Sequence, residues 1–327
     1  MVKSKNTFIE LTLFLFLLAL AVVLSLGKNF TSAVSDGIKL FASCVLPALF
    51  PYFFITAILS SLSVTGKISL RLSPLTTRLF NVNGTAGYAL FMSLICGYPT
   101  GAKIVSDLKD KNLLSDTESI RAAALCSSSS PMFTIGSVGN LMFNSQIFGA
   151  LLFLTHLFAV LTTGFIFSFY KKSSTPKNTR KVLPLNAKKV DNVLYESAYS
   201  AVISVLVVGA LITVFYLLTE VLLTFNILNP PIKILSIFFD ETVAKSIAVG
   251  FFEYTRGLKI LSENGITLLS LPVAAFLTGF SGLSVIAQSI AYLKKAKIKT
   301  APFFLSKLST AVFGFLFGLL FSLFATI

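Results

Sequence analysis

Long apolar runs alternate with short polar turns along most of this chain. Phe8–Leu26, Leu46–Val64, Ile147–Phe169, Leu194–Leu228 and Ala301–Ile327 are each close to or above the roughly 20 residues a helix needs to cross a bilayer. Shorter elements lie between them. Thr31–Ser43 is an amphipathic helix candidate that runs into the span entered through Pro47 and Pro51. Lys67–Asn83, with Arg71 and Arg78, reads as interfacial. Ser115-Asp116-Thr117-Glu118 is a capping box, in which Ser115 accepts from the third helical amide and Glu118 reaches back. Met132–Phe143 is apolar with Gly136 and Gly139. Asn229-Pro230-Pro231 is expected to end the long run before it, because proline lacks the donor a helix needs, and Ile232–Leu261 reads as amphipathic. The pattern predicts an all-α, polytopic helical membrane protein.

One stretch of this pattern occurs twice. Residues 89–113, ALFMSLICGYPTGAKIVSDLKDKNL, align without a gap to residues 274–298, AAFLTGFSGLSVIAQSIAYLKKAKI, at an offset of 185. Each copy is an apolar run, a glycine-containing break and a second apolar run ending in lysines. Two interrupted apolar segments at corresponding places in two halves are the best sequence pointer to a transporter's substrate site. The expected organisation is an N-terminal transmembrane helix (1–29), a first repeat (30–170), a basic cytoplasmic linker (171–190) and a second repeat (191–327), each repeat with broken or re-entrant helices.

Composition supports the membrane assignment. Apolar residues make up 55% of the chain and charged residues 12%, about half the fraction of an ordinary soluble protein, and mean hydropathy is +0.85. Thirty-three Phe and no Trp favour helices over an outer-membrane barrel with its alternating strands and aromatic girdles. The 27 Lys and Arg against 13 Asp and Glu do not point to nucleic acid, because they cluster beside apolar runs. Lys171, Lys172, Lys177, Arg180, Lys181, Lys188 and Lys189 share one loop, which the positive-inside rule places in the cytoplasm. Lys3 and Lys5 before Phe8–Leu26 suggest an uncleaved first span with its N-terminus inside. Three cysteines without metal-ligand spacing argue against a disulfide framework or a zinc site.

Candidate chemistry gathers at the breaks. In Gly97-Tyr98-Pro99-Thr100-Gly101, proline and two glycines interrupt the helix, and such a break is tolerated in lipid only inside protein or against water. The helix restarting near Gly101 offers free N–H groups, the positive end of its dipole, the Thr100 hydroxyl and Lys103, a set suited to a carboxylate or phosphate. The bland alternative is a packing kink with Lys103 paired to Asp107. The second copy, Phe280-Ser281-Gly282-Leu283-Ser284, lacks the proline and carries Gln288 where the first has Lys103, so it offers a donor and an acceptor but no charge; small residues for close helix packing explain it equally well. Ser128, Ser129 and Ser130, after Ser127 and before Pro131, are a helix-start signal that fits either a surface loop or a third internal break beside an anion. Glu253 and Arg256 are three apart, as in a local helix ion pair or a substrate contact. Glu220, in the most apolar part of its run, is a candidate for proton or cation coupling. His156, the single histidine, reads as a packed neutral ring.

No hydrolase elbow, zincin motif or Walker loop occurs, and the acids and one histidine do not cluster, so neither an enzyme nor a resident cofactor or metal is expected. The ordered set GYPTGAKIVSDL (Gly97–Leu108), CSSSSPMFTIGSVG (Cys126–Gly139), GFFEYTRGLK (Gly250–Lys259) and GFSGLSVIAQ (Gly279–Gln288) resembles the sporulation integral membrane protein YlbJ family, within the wider nucleoside-recognition (Gate) group. The likeness covers roughly residues 33–327. It implies a polytopic protein of the bacterial cell membrane, in spore formers the mother-cell-derived membrane around the forespore, and movement of dipicolinate, a planar pyridine dicarboxylate. The expected function is therefore transport of a small organic anion through a midplane site. A nucleoside or other polar-solute transporter and a non-transport scaffold for spore assembly are the alternatives. The expected partners are the anion and the lipid bilayer, with self-association left open.

Overall fold

The computed structural model describes residues 27–61, 64–171 and 192–324, and no strand occurs among them. The expected first span at Phe8–Leu26 and most of the basic loop lie outside the described residues. In chain order the helices are α1 (Lys28–Leu40), α2 (Leu46–Ser61), α3 (Val64–Phe80), α4 (Thr85–Cys96), α5 (Thr100–Asp110), α6 (Asp116–Leu125), α7 (Gln146–Ser168), α8 (Val193–Thr224), α9 (Asn229–Leu235), α10 (Glu241–Gly250), α11 (Tyr254–Ser262), α12 (Ser270–Phe280), α13 (Gly282–Lys295) and α14 (Thr300–Phe324). Two π-helical segments, Phe41–Val45 and Met132–Met142, complete the set.

Five elements are long and apolar enough to cross a membrane: Phe30–Leu59, α7, α8, Ser270–Lys295 and Thr300–Leu323. A sixth is formed if Gly66–Phe80 and Thr85–Cys96 count as one span, bent by 96° at the break. The protein is an integral membrane protein. Ile147, Leu154, Phe158 and Phe165 on α7, Leu206 and Val214 on α8, and Leu305, Val312 and Leu320 on α14 face outward, as lipid requires. The 32 residues of α8 extend about 48 Å, more than a hydrocarbon core of about 30 Å, so this helix tilts or projects.

Several boundaries differ from the hydropathy pattern. The amphipathic stretch and the span expected at residues 31–64 form one apolar element, Phe30–Leu59, joined by the π-helical turn Phe41–Val45. Pro47 lies just beyond that turn and has no N–H to give, so the wider turn sits where a regular ladder would lack a donor. Pro230 and Pro231 do not end α8. That helix stops at Thr224, and the prolines occupy the first turn of α9, where a missing N–H costs nothing. The amphipathic stretch at 232–261 is divided, because Asp240 and Glu253 each cap a new helix through their carboxylates. Asn81, Asn112, Asn144 and Asn226 adopt left-handed φ values of 50–57° just after helix ends, a conformation asparagine accepts more readily than other residues with a side chain.

Buried polar groups fix the loops. The capping box forms as expected: Ser115 Oγ accepts from Glu118 N at 3.3 Å, and Glu118 accepts from Ser115 N at 2.9 Å. Glu118 also accepts from Asn83 N at 3.2 Å, tying the α3–α4 turn to α6. Arg121 is 1% exposed and donates to the carbonyls of Asn81, Tyr170 and Lys171 at 2.7–2.9 Å. Its charge thus closes the C-terminal ends of α3 and α7, where unpaired carbonyls gather. The core runs across both halves of the chain: α14 lies along α12 and α7, α2 along α8, and α5 along α13.

Candidate functional site

The breaks of the doubled segment are real, and each crosses another break. At the first crossing, Gly97–Pro99 between α4 and α5 meets Cys126–Ser130 between α6 and the π-helical segment. Gly97 has φ +75°, and a Cβ there would lie 2.7 Å from Ser130 N. A Cβ on Gly101 would overlap the Cys126 carbonyl, so only glycine lets the two backbones approach this closely. The Tyr98–Pro99 peptide is cis. All four serines of the run are 1–5% exposed, which resolves the sequence ambiguity in favour of an internal break.

At the second crossing, the left-handed Ser281 (φ +68°) separates α12 from α13, and α13 begins against the α10–α11 break. Leu283 N donates to Phe251 O at 2.9 Å and Ser284 N to Phe252 O at 3.0 Å. The unpaired N–H groups that start one helix satisfy carbonyls released at the other break, which makes broken backbone tolerable inside a membrane protein.

A cavity of about 770 Å³ lies beside the first crossing. Its walls come from both halves: Phe53 and Thr56 of α2, Tyr88 and Met92 of α4, Ser204 and Leu211 of α8, and Tyr292 of α13. Pro99, Thr100 and Lys103 from the first copy and Gln288 from the second face this one space. Lys103 is half-buried and makes no ion pair among the described residues, so the pairing with Asp107 given as the bland alternative does not form. Gln288 is 5% exposed and its Nε2 has no acceptor. The more exposed charges, Asp107, Lys111 and Glu196, also line the cavity and give it a mixed rim around an inner end with one cation. A smaller void of about 20 Å³, room for one water, adjoins Gly97, Tyr98, Ser129, Ser130, Tyr254 and Thr255 and shares Gln288 and Val208 with the large cavity.

The remaining candidates lie elsewhere. Gly101 is sealed against Cys126, and Ser128 donates to the Ser129 carbonyl at 3.0 Å, lining neither space. Ser130 Oγ caps the next helix by accepting from Phe133 N at 3.1 Å. Ser281 turns back on the Phe280 carbonyl, and a Cβ on Gly282 would lie 2.9 Å from Tyr254 N, so both serve the second crossing. Glu253 and Arg256 do not form the local ion pair. Glu253, fully buried, accepts from Arg256 N at 2.7 Å and from the Ser284 hydroxyl at 3.4 Å. The Arg256 guanidinium turns to α8, where it meets Glu220 at 2.6 Å, Thr219 Oγ1 at 2.5 Å and the face of Tyr216 at 4.0 Å. Glu220 is thus held in an ion pair joining α8 to α11 rather than standing alone in an apolar stretch.

Three buried groups beside the first crossing had weak sequence signals. Lys307 of α14 is 1% exposed. Its Nζ donates to Ser127 Oγ at 3.2 Å and sits 4.1 Å from the centre of the Tyr98 ring. Tyr98 donates its hydroxyl to Thr278 O at 3.0 Å and lies 3.3 Å from His156 Nε2. His156 Nε2 accepts from Ser129 N at 2.9 Å. Lys307 was visible only as a cation early in the apolar run Ala301–Ile327, and nothing in the pattern told a surface cation from a buried one.

Crossing helix breaks beside a cavity of small-molecule size, in a bundle of membrane-spanning helices, define a polytopic helical membrane protein. The chain is 28% identical over 342 aligned residues, covering 96% of its length and 82% of the relative's, to the sporulation integral membrane protein YlbJ of Bacillus subtilis (strain 168). The likeness to that protein runs along nearly the whole chain. No family model matches the chain. No solved structure matches it.

Proposed function

We propose that this protein is a membrane transporter for a small organic anion in sporulation, with dipicolinate as the leading solute. The carrying observation is that Lys103 and Gln288, equivalent positions of the doubled segment, face one cavity and, among the described residues, Lys103 has no ion-pair partner and Gln288 Nε2 no acceptor. A volume of about 770 Å³ suits a small molecule. The inner end offers one ammonium, a hydroxyl, an amide and the N-terminal turn of α5, a set complementary to a carboxylate on an aromatic ring. The ring would lie against Phe53, Tyr88 and Met92. In this reading the doubled segments 89–113 and 274–298 are the broken units of two Gate-like repeats, 30–170 and 191–327, and their difference in charge orients the solute. The sporulation context comes from the name of the relative, and dipicolinate from the family resemblance.

Thermal shift of the purified protein separates the solute classes. Dipicolinate raises the melting temperature and nucleosides do not, and Lys103→Ala removes the shift while leaving the unliganded melting temperature within about 2 °C, as expected for a partly exposed side chain with no partner. Stabilisation by nucleosides alone would replace the anion reading with a nucleoside one.

A further inference from the structure

Lys307 poses a problem that the cavity does not solve. An ammonium taken out of water without a counter-charge costs several kcal/mol, yet among the described residues Lys307 forms no ion pair and has one hydroxyl and one aromatic face as its recorded contacts. Beside it, His156 Nε2 accepts the Ser129 N–H. In a neutral ring the proton then resides on Nδ1, and Nδ1 is fully buried with no acceptor. Both side chains meet Tyr98: Lys307 Nζ lies 4.1 Å from its ring centre and His156 Nε2 3.3 Å from its hydroxyl. Among the described residues, therefore, Lys307 of α14 sits beside the serine break with no counter-charge, and His156 of α7 carries an unpaired Nδ1.

Tyr98 stands between this cluster and the cavity. It lines the small void that shares Gln288 and Val208 with the large cavity, and Lys307 packs on its ring. Its hydroxyl is held by the Thr278 carbonyl of α12. A shift of α12 relative to the first crossing would release that hydroxyl and free the ring to move.

We infer that Lys307, His156 and the Ser127–Ser129 backbone form a second, inner station for an anionic group, closed in this conformation by Tyr98. An anion there would take the Lys307 charge and the Ser127 hydroxyl, with the His156 ring as a wall. The station's ligand class is a carboxylate-sized anion that reaches it through the cavity. This rests on the transport reading only in treating that cavity as the route of approach.

The test uses cysteine accessibility, which does not depend on the identity of the solute. Cys44, Cys96 and Cys126 are replaced by alanine and Ser127→Cys is introduced in the full chain, in membrane vesicles. Modification rates with a sulfonate-bearing and a trimethylammonium-bearing methanethiosulfonate of similar size are normalised to their rates with a free thiol in water. The anionic reagent is expected to be favoured at least about tenfold, as a nearby unpaired cation in a low-dielectric site requires. Lys307→Gln abolishes the preference and Lys307→Arg keeps it. Equal normalised rates, or no reaction with either reagent, overturn the inference. If Ser127→Cys does not fold, Ser129→Cys in the same break gives the same readout. Because these reagents are unrelated to dipicolinate, failure of the dipicolinate reading leaves this result standing, and the reverse also holds.

Discussion

Charged side chains inside the bundle divide by whether they have partners. Arg121 is fully engaged. Its loss would leave several carbonyls at the ends of α3 and α7 unpaired, so Arg121→Ala should destabilise the protein by about 3–5 kcal/mol, measured as loss of folded protein on heating. Arg121→Lys should not restore it, because an ammonium cannot reach three carbonyls in the geometry of the guanidinium fork. Glu220 and Arg256 satisfy each other across α8 and α11. A double-mutant cycle should give a coupling of about 1–3 kcal/mol in stability, and Glu220→Gln in a transport assay should lower the amount of folded protein rather than alter ion dependence. A changed coupling ion with unchanged stability would return Glu220 to the role its apolar setting suggested. Among the described residues Lys103 and Lys307 have no ion-pair partner, and there a ligand is the natural complement. The sequence made Lys103 legible, since a lysine four residues past a proline in an apolar run is conspicuous. It left Lys307 obscure, because burial depends on which helices surround α14.

At the scale of elements, the breaks were legible and their partners were not. Glycine and proline in an apolar run announce an interruption through local backbone sterics. Which break meets which is a tertiary fact. Gly97 and Gly101 owe their identity to Ser130 and Cys126, residues about 30 positions away. Gly101→Ala should therefore prevent or severely impair folding, seen as loss of the monodisperse peak in detergent. Gly265, by contrast, also has a positive φ (+70°) but nothing within 4 Å, so Gly265→Ala should cost only about 1 kcal/mol from backbone strain. Equal effects at the two positions would show that the close approach at the first crossing is not needed. The caps divide the same way. The Ser115–Glu118 box was readable because it is a local pattern, whereas Glu253 as a cap was hidden, since glutamate is not among the favoured cap residues and its spacing to Arg256 mimics an ion pair.

For the whole molecule, hydropathy gave the class, an all-helical membrane protein, and most of the long spans, because apolar length is a direct physical requirement of the bilayer. Boundaries near proline moved, since proline ends one helix and starts another with the same chemistry. The doubled segment foretold which regions would approach one another: Lys103 and Gln288 are 185 positions apart and share one cavity. It did not foretell that α2 and α8 would supply the other walls. The central claim is that this shared space carries a small organic anion across the membrane, and uptake of labelled dipicolinate into proteoliposomes tests it most directly. Protein-dependent uptake should fall at least about tenfold for Lys103→Ala, the loss expected when a charge-assisted contact worth at least 1.4 kcal/mol is removed, and should also fall for Gln288→Ala, with folded protein unchanged. Uptake equal to that of empty liposomes, or a folded Lys103→Ala protein that transports at the unaltered rate, would contradict it.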